Sequence, residues 1–241
     1  MADDTTTRME DVSVGDGSYE AHLTLPASGA GPGILLFQEI FGVNDFLTQK
    51  AHDLARLGYV VLCPDVFWRI QPGVSLPHDQ ASLQEAFGLG GRYSAEVDMD
   101  TKVADLLAAL THLKGLPEVA GHQVGVMGYC LGGFLAYLVA AHGDPDACVS
   151  YYGSGIADVL HLAERITCPV LFHFGGNDPY IPSEQIDKIA TELSRRDDVT
   201  IRIEPEAGHA FENLLAPQFG MAEPAARSWA ATAEWLGRHL R

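Results

Sequence analysis

The stretch Gly128-Tyr129-Cys130-Leu131-Gly132-Gly133 decides the fold that this sequence predicts. It has the form glycine, any residue, nucleophile, any residue, glycine, with a thiol in the central position. This pattern is typical of a sharp turn from a strand into a helix, where small residues let the backbone bend and leave the central side chain exposed. The motif therefore predicts that Cys130 is a nucleophile acting through sulfur.

The segments on either side of this turn have the required character. Residues 123–127 form a short apolar run with β-branched side chains, as in a buried parallel strand. Residues 134–141 are apolar almost throughout, which is typical of a helix covering the middle of a sheet, and Gly143 is a helix stop. The alternative is that Cys130 is a small core residue, since free cysteines are commonly buried. The flanking strand and helix favour the catalytic interpretation.

Composition limits the class of protein. The 241 residues predict one α/β domain over 1–241, and 15 basic against 32 acidic residues give a net charge of −17. This charge disfavours nucleic acids and anionic membranes as partners and fits a soluble monomer that takes a small-molecule substrate. The start of the chain is polar and no apolar run is long enough to cross a membrane, so we expect a cytoplasmic protein.

The other three cysteines, Cys63, Cys148 and Cys168, predict no site. They show no Cys-x-x-Cys spacing, which argues against zinc and against a thioredoxin-like pair. Because they lie in or beside apolar segments, we expect core thiols. The sequence indicates neither a metal nor an organic cofactor.

Strands and helices alternate along the chain. This alternation predicts a mainly parallel central sheet with helices on both faces. Six strands besides the one before Cys130 are expected at 19–25, 33–37, 59–63, 147–152, 170–174 and 200–204. Further helices are expected at 45–57, 98–113, 184–194 and 223–239.

Residues 71–93 interrupt this rhythm. They contain Pro72, Pro77 and the segment Gly88-Leu89-Gly90-Gly91, which predict a loop with a short helix. Such a segment is expected at the carboxyl edge of the sheet, where ligands bind in open α/β folds.

A cysteine nucleophile needs a base and a group that orients the base. In an α/β-hydrolase fold the chain order is nucleophile, acid, histidine. Asp178 follows the strand at 170–174 and His209 follows the strand at 200–204, so both are expected at the edge that carries Cys130. The alternatives are a turn residue for Asp178 and a surface loop residue for His209. His173, the best rival base, lies within an apolar strand and is better explained as a core imidazole.

Several segments together resemble the dienelactone hydrolase family. They are Phe37-Gln38-Glu39-Ile40-Phe41-Gly42, the motif around Cys130, Tyr151-Tyr152-Gly153, and residues 175–182 and 206–211. The resemblance spans nearly the whole chain and implies an α/β-hydrolase fold with a Cys130, Asp178 and His209 triad.

The resemblance also implies roles for the residues after the strand at 33–37. Glu39 would hydrogen-bond the resting thiol and take part in its activation, and the backbone N–H groups of Ile40 and Leu131 would form the oxyanion hole. A carboxylate beside an oxyanion donor opposes the developing charge, which independently suggests that Glu39 has a partner. The alternative for Glu39 is a solvated loop residue. The expected chemistry is hydrolysis of a small ester or lactone through a thioester.

Family members that act on dienelactone hold its carboxylate with two arginines, and this sequence lacks both. Leu83 and Asn213 stand at the matching positions, and Phe87 replaces a tyrosine. Neither leucine nor asparagine can reproduce the bidentate, charged contact of an arginine. Glu212 would repel an anion further, so we expect a substrate other than dienelactone, or a different binding mode.

Other side chains are candidates for the substrate pocket. Arg69 and Arg92 could replace the missing arginines, and surface charges are the alternative. Four aromatic residues could line an apolar pocket, although core packing is an equally good explanation for each: Phe67, Trp68, Phe87 and Tyr93.

Two other functions stay open. The acyl-cysteine could pass its acyl group to another acceptor, which would make the protein an acyltransferase or thioesterase. The chain could also be a catalytically silent α/β-hydrolase scaffold that serves as a thiol redox sensor, although the presence of all four catalytic candidates argues against it.

Overall fold

The computed structural model describes residues 4–193 and 195–241. Its centre is a sheet of eight strands in the order β1-β2-β4-β3-β5-β6-β7-β8. The strands are β1 (Thr6–Val14), β2 (Gly17–Leu25), β3 (Gly33–Phe37), β4 (Val60–Pro64), β5 (Val124–Tyr129), β6 (Ala147–Tyr151), β7 (Val170–Gly175) and β8 (Val199–Glu204).

Six neighbouring strands of this sheet, from β4 across to β8, run parallel to one another. Strands β3 to β7 are buried along their whole length, which explains why their sequences read as continuous apolar runs. The seven strands expected from the sequence are all present. The prediction of a mainly parallel α/β fold is confirmed.

In residues 4–193 and 195–241, six α-helices pack around the sheet. Helix α4 lies against β5 and β6, α1 against β4, and α6 against β6 and β7. The helices are α1 (Asp45–Arg56), α2 (Gln80–Glu96), α3 (Met99–Gly115), α4 (Leu131–His142), α5 (Ser183–Leu193) and α6 (Ala222–His239). The expected end of α5 at Ser194 lies outside the described residues. None of the described helices has the length and apolar character needed to span a membrane.

The first strand was not expected from the sequence. Strand β1 pairs antiparallel with β2, which itself pairs antiparallel with β4. Within β1 only Val12 is fully buried and the other side chains are mostly exposed. An edge strand of this kind has no alternating apolar pattern from which it could be predicted.

Helix α2 is longer than the expected loop with a short helix. Asp79 caps it by accepting a hydrogen bond from the Ser82 N–H at 2.8 Å, and the helix then runs for 17 residues through all three of its glycines. Its buried side chains, Ala86, Leu89 and Tyr93, lie on one face at helical spacing. Packing of this face outweighs the low helix propensity of glycine.

The turn at Cys130 joins β5 to α4. Cys130 has φ 54° and ψ −116°, a left-handed conformation that side chains other than glycine adopt rarely. The backbone passes so close to itself that a Cβ on Gly128 would overlap the carbonyl of Gly132, and a Cβ on Gly132 would overlap that of Phe37. The Cys130 N–H donates to the Tyr151 carbonyl at 3.0 Å, which ties the turn to β6.

The remaining cysteines are core residues, as expected. Cys63, Cys148 and Cys168 are buried and unpaired. Burial raises the pKa of the Cys168 thiol to about 11. These thiols are therefore poor nucleophiles near neutral pH.

Replacing Gly88 by alanine should stabilise the protein. A Cβ at this exposed position of α2 meets open space, so Gly88→Ala should raise the free energy of unfolding by about 0.5–1 kcal/mol. Urea denaturation followed by circular dichroism measures the change. The matched control is Gly90→Ala, whose Cβ would lie 3.0 Å from Ile40 Cγ2 and should give a smaller gain or a loss. Equal effects would contradict this explanation.

Candidate active site

The four predicted catalytic residues follow four parallel strands. Glu39 comes after β3, Cys130 after β5, Asp178 after β7 and His209 after β8. Because parallel strands present their carboxyl ends at one edge of a sheet, the fold gathers these residues in one place. Cys130, His209 and Glu39 line one cavity there, with Asp178 bonded to His209 behind it.

His209 interacts with both Cys130 and Asp178. The Cys130 side chain and the His209 imidazole line the same cavity and interact electrostatically. On the other side, His209 Nδ1 donates to Asp178 Oδ2 at 2.7 Å. The second oxygen of Asp178, Oδ1, accepts from the Tyr180 N–H at 2.8 Å. The carboxylate is therefore held by two donors, and it fixes the ring orientation of His209.

The electrostatic surroundings of His209 favour a charged imidazole. Burial is the largest single influence on His209 and lowers its pKa. The negative charge of Cys130 and the hydrogen bonds with Asp178 and Cys130 act in the opposite direction and together raise the His209 pKa well above its usual value. The site can thus hold His209 as an imidazolium beside the Cys130 sulfur.

The cavity at this edge measures about 250 Å³. Leu131 is the first residue of α4, so its N–H has no partner within the helix and is available as a donor. Among the predicted residues, Glu39, Ile40, Cys130, Leu131, His209 and Phe87 line the cavity. The other lining residues are Phe41, His78, Leu83, Gly90, Gly91, Ser154, Tyr180, Ala210 and Phe219.

Glu39 is buried and is held through one of its two oxygens. Oε2 lies 2.8 Å from His78 Nε2 and 3.0 Å from Asn213 Nδ2, which donates to it. Oε1 is buried and has no hydrogen-bond partner among the described residues. Among the described residues, Glu39 makes no hydrogen bond to the Cys130 thiol, which differs from the contact that the resemblance implies.

His78 was missed by reasoning from the sequence. It lies in the loop between β4 and α2, directly before Asp79, the cap of α2. Its only signal was a position at the entrance of a helix on the edge where ligands bind, a weak signal for one of ten histidines.

Four of the predicted pocket residues lie away from the cavity. Trp68 stacks on Tyr19 with ring centroids 5.4 Å apart, and Arg69 forms ion pairs with Asp105 and Asp16 at 2.6 and 2.8 Å. Phe67 and Tyr93 are buried and pack on each other with centroids 5.5 Å apart. Their places in the core and in this ion-pair cluster exclude contact with a ligand in the cavity.

Among the described residues, no arginine lines the cavity in place of the two missing ones. Arg69 is neutralised by its two aspartates, and Arg92 pairs on the surface with Glu96 at 2.9 Å. Leu83 lines the cavity, and Asn213 is buried against Glu39.

The prediction that Glu212 repels an anionic substrate is wrong. Glu212 is buried, accepts from Lys50 Nζ at 2.5 Å and from Ser228 Oγ at 2.7 Å, and is not among the lining residues. Burial raises its pKa, and Lys50 compensates its charge.

His173 is a core imidazole, as expected. Its Nε2 hydrogen-bonds Thr232 Oγ1 at 2.9 Å, and burial lowers its pKa to about 3, so it is neutral. In the part of the chain that the structure describes, no three or more His, Cys, Asp or Glu side chains are grouped so as to hold a metal ion.

Comparison with known proteins identifies the family. The model of the dienelactone hydrolase family matches residues 19–240. The chain belongs to the dienelactone hydrolase family. A carboxymethylenebutenolidase from a Pseudomonas species is 39% identical over 225 residues, covering 93% of this chain and 92% of the relative. One from Pseudomonas putida is 37% identical over 200 residues, covering 80% and 83%.

A solved structure with the same fold is also similar. It is a dienelactone hydrolase-like promiscuous phosphotriesterase from metagenomic libraries, with 28% identity and a TM-score of 0.83, covering 98% of this chain and 99% of that one. The predicted family, the α/β-hydrolase fold and the prediction of a hydrolytic enzyme are therefore confirmed.

Removing the sulfur should lower the pKa of His209. In Cys130→Ala the imidazole loses the negative charge and one hydrogen bond that raise its pKa, while the opposing effect of burial stays. A raised pKa stabilises the fold below about pH 6.5, and this contribution is lost as pH rises through the folded-state pKa. NMR titration of the His209 ring should show the drop. An unaltered His209 pKa would contradict the Cys130 and His209 pairing.

Proposed function

We propose that the protein is a cysteine-dependent hydrolase of small, neutral esters or lactones that works through a thioester. The observation that carries this proposal is the chain from Asp178 through His209 to Cys130, with the sulfur at the wall of a cavity. Each member has the partner that nucleophilic catalysis requires.

Acylation begins with attack of the Cys130 sulfur on the substrate carbonyl. The N–H groups of Ile40 and Leu131 stabilise the oxyanion, since both residues line the cavity beside Cys130. Collapse of the tetrahedral intermediate breaks the bond from carbonyl carbon to leaving oxygen, and the His209 imidazolium protonates that oxygen. Glu39 takes part in activating the thiol.

Deacylation uses the same groups in reverse. His209, now neutral, removes a proton from water, and the resulting nucleophile attacks the thioester while Asp178 keeps the imidazole oriented. The products are the carboxylic acid and the restored pair of Cys130 and His209.

The walls of the cavity favour a neutral and partly apolar substrate. Leu83, Phe87, Tyr180 and Phe219 supply apolar surface, and neither lysine nor arginine is among the lining residues that the structure describes. Glu39 adds a negative charge. The relatives named carboxymethylenebutenolidase therefore do not fix the substrate of this chain, in which the arginine clamp is absent.

Replacing Cys130 should abolish turnover. We expect Cys130→Ala to lower kcat on p-nitrophenyl esters of graded chain length by at least about a thousandfold, because no thioester can form. Cys130→Ser tests whether the site needs sulfur, and mass spectrometry of the wild-type protein should show an acyl adduct on Cys130. Full activity of the alanine variant would refute the proposal.

Charge should decide between lactones of equal size. With Glu39 at the cavity, we expect kcat/KM to be about tenfold or more higher for a neutral lactone than for its carboxylate analogue, because the anion meets a like charge. The same ratio measured for Glu39→Gln forms the control, since removing the charge should narrow the difference. Equal or better turnover of the anion would overturn the substrate assignment.

Partition of the acyl-enzyme separates hydrolysis from acyl transfer. After a burst of p-nitrophenol, added alcohols or thiols compete with water for the thioester. A hydrolase gives mainly the free acid at millimolar acceptor, whereas predominant transfer would favour the acyltransferase reading.

A further inference from the structure

The buried carboxylate of Glu39 is held by donors that carry no permanent charge. Its side chain is only 4% exposed, as is that of His78. Buried carboxylates usually have a cationic partner, because removing a charge from water is costly. In the described part of the chain, Oε2 of Glu39 instead meets an imidazole and an amide.

The contacts of Asn44 determine which nitrogen of His78 carries the proton. Asn44 Oδ1 accepts from the Leu47 N–H at 3.3 Å, and its Nδ2 donates to the Leu76 carbonyl at 2.9 Å. The same Nδ2 lies 3.4 Å from His78 Nδ1, so an amide donor faces that ring nitrogen. We therefore assign Nδ1 as the acceptor and place the proton of the neutral ring on Nε2, which gives Glu39 Oε2 its donor at 2.8 Å. Nε2–H then donates to Glu39 Oε2.

The orientation of Asn213 is fixed in the same way. Its Oδ1 accepts from the Leu215 N–H at 3.1 Å, which leaves Nδ2 to face Glu39. Asn213 Nδ2 also lies 2.9 Å from His78 Nε2, so both nitrogens stand beside the same oxygen. Because the Nε2 proton points to Glu39, both N–H groups converge on Oε2.

The His78 ring has little freedom to move. It packs on Phe41 with centroids 4.1 Å apart and meets the edge of Phe46 at 6.0 Å. Its backbone carbonyl accepts from Gln218 Nε2 at 2.7 Å. The donor to Glu39 is therefore held in place from several sides, as a positioning group must be.

We propose that His78, as its neutral Nε2–H form, and Asn213 are positioning residues that fix Glu39 for its part in activating Cys130. They bind Oε2 and leave the buried Oε1 without a hydrogen-bond partner among the described residues, and Glu39 and Cys130 line the same cavity. Neutral donors hold the carboxylate and leave its charge in place, whereas a cation would cancel that charge. This inference rests on the proposed function, because it assigns these residues to that mechanism.

Two substitutions of His78 separate the Nε2 donor from the rest of the ring. Glutamine carries its amide nitrogen at about the reach of Nε2, and asparagine carries it at about the reach of Nδ1. We expect His78→Asn to lower the rate of Cys130 acylation about tenfold to a hundredfold with little change in KM, because the carboxylate loses its position. His78→Gln should recover most of that loss. His161→Asn, at an exposed position, is the control for histidine replacement.

A double-mutant cycle tests whether His78 acts through Glu39. If it does, His78→Asn should change the acylation rate less than about twofold in a Glu39→Gln background, since the interaction is already lost. A merely structural role would lower the rate equally in both backgrounds. Asn213→Asp supplies a second test, because it keeps the acceptor for Leu215 N–H but replaces the donor with a like charge. It should lower acylation as His78→Asn does.

The rate of carboxamidomethylation of Cys130 by iodoacetamide, measured on the same variants at one pH, needs no ester turnover. Suppose that the wild type forms an acyl-enzyme with esters. The positioning role is then refuted, and the proposed function stands, if His78→Asn is acylated as fast as the wild type. The same holds if the rate losses of His78→Asn and Glu39→Gln add in the double variant. If the wild type forms no acyl-enzyme, the proposed function fails. In that case the positioning role still stands if alkylation changes in His78→Asn, returns in His78→Gln and shows no further change in the double variant.

Discussion

The left-handed turn at Cys130 is the constraint on which the site depends. A residue with a Cβ at φ 54° costs on the order of 1–3 kcal/mol and persists only where its surroundings determine it. Here the glycines at 128 and 132 let backbone segments touch, and the Cys130 N–H is bonded to Tyr151 on β6. The strain thus holds the sulfur at the edge of the sheet, at the start of α4, where the N–H of Leu131 has no partner within the helix.

The central sheet could be predicted because buried strands have a recognisable apolar pattern in the sequence. Strands β3 to β7 are enclosed on both faces and therefore consist of apolar runs that end at turns. The exposed strand Thr6–Val14 is held by backbone hydrogen bonds to β2, which leave no side-chain pattern. Helix α2 was underestimated for the opposite reason, since its glycines indicate a loop while contacts distant in sequence keep it helical.

The same distinction applies to the site. Cys130, Asp178 and His209 could be located because each follows a recognisable parallel strand, and topology then brings them together. His78 follows no strand directly. Its importance lies in its contacts with Glu39 and Asn213, which are far away in sequence. The pocket residues expected at 67–69 and Tyr93 failed because a sequence does not show which way a loop side chain points. These residues serve the core and an ion-pair cluster with Asp16 and Asp105.

Three buried carboxylates around the site are stabilised in three different ways, and the differences bear on specificity. Glu212 is compensated by Lys50, and Asp178 is bonded to an imidazole with a raised pKa, so each has a positive neighbour. Within the described part of the chain, Glu39 has hydrogen bonds but no lysine or arginine partner, and it is the one of the three that lines the cavity. A substrate in the cavity would therefore interact with the negative charge of Glu39. In a chain with a net charge of −17, distant charges provide no relief, so the cavity should exclude anions as a consequence of how Glu39 is held.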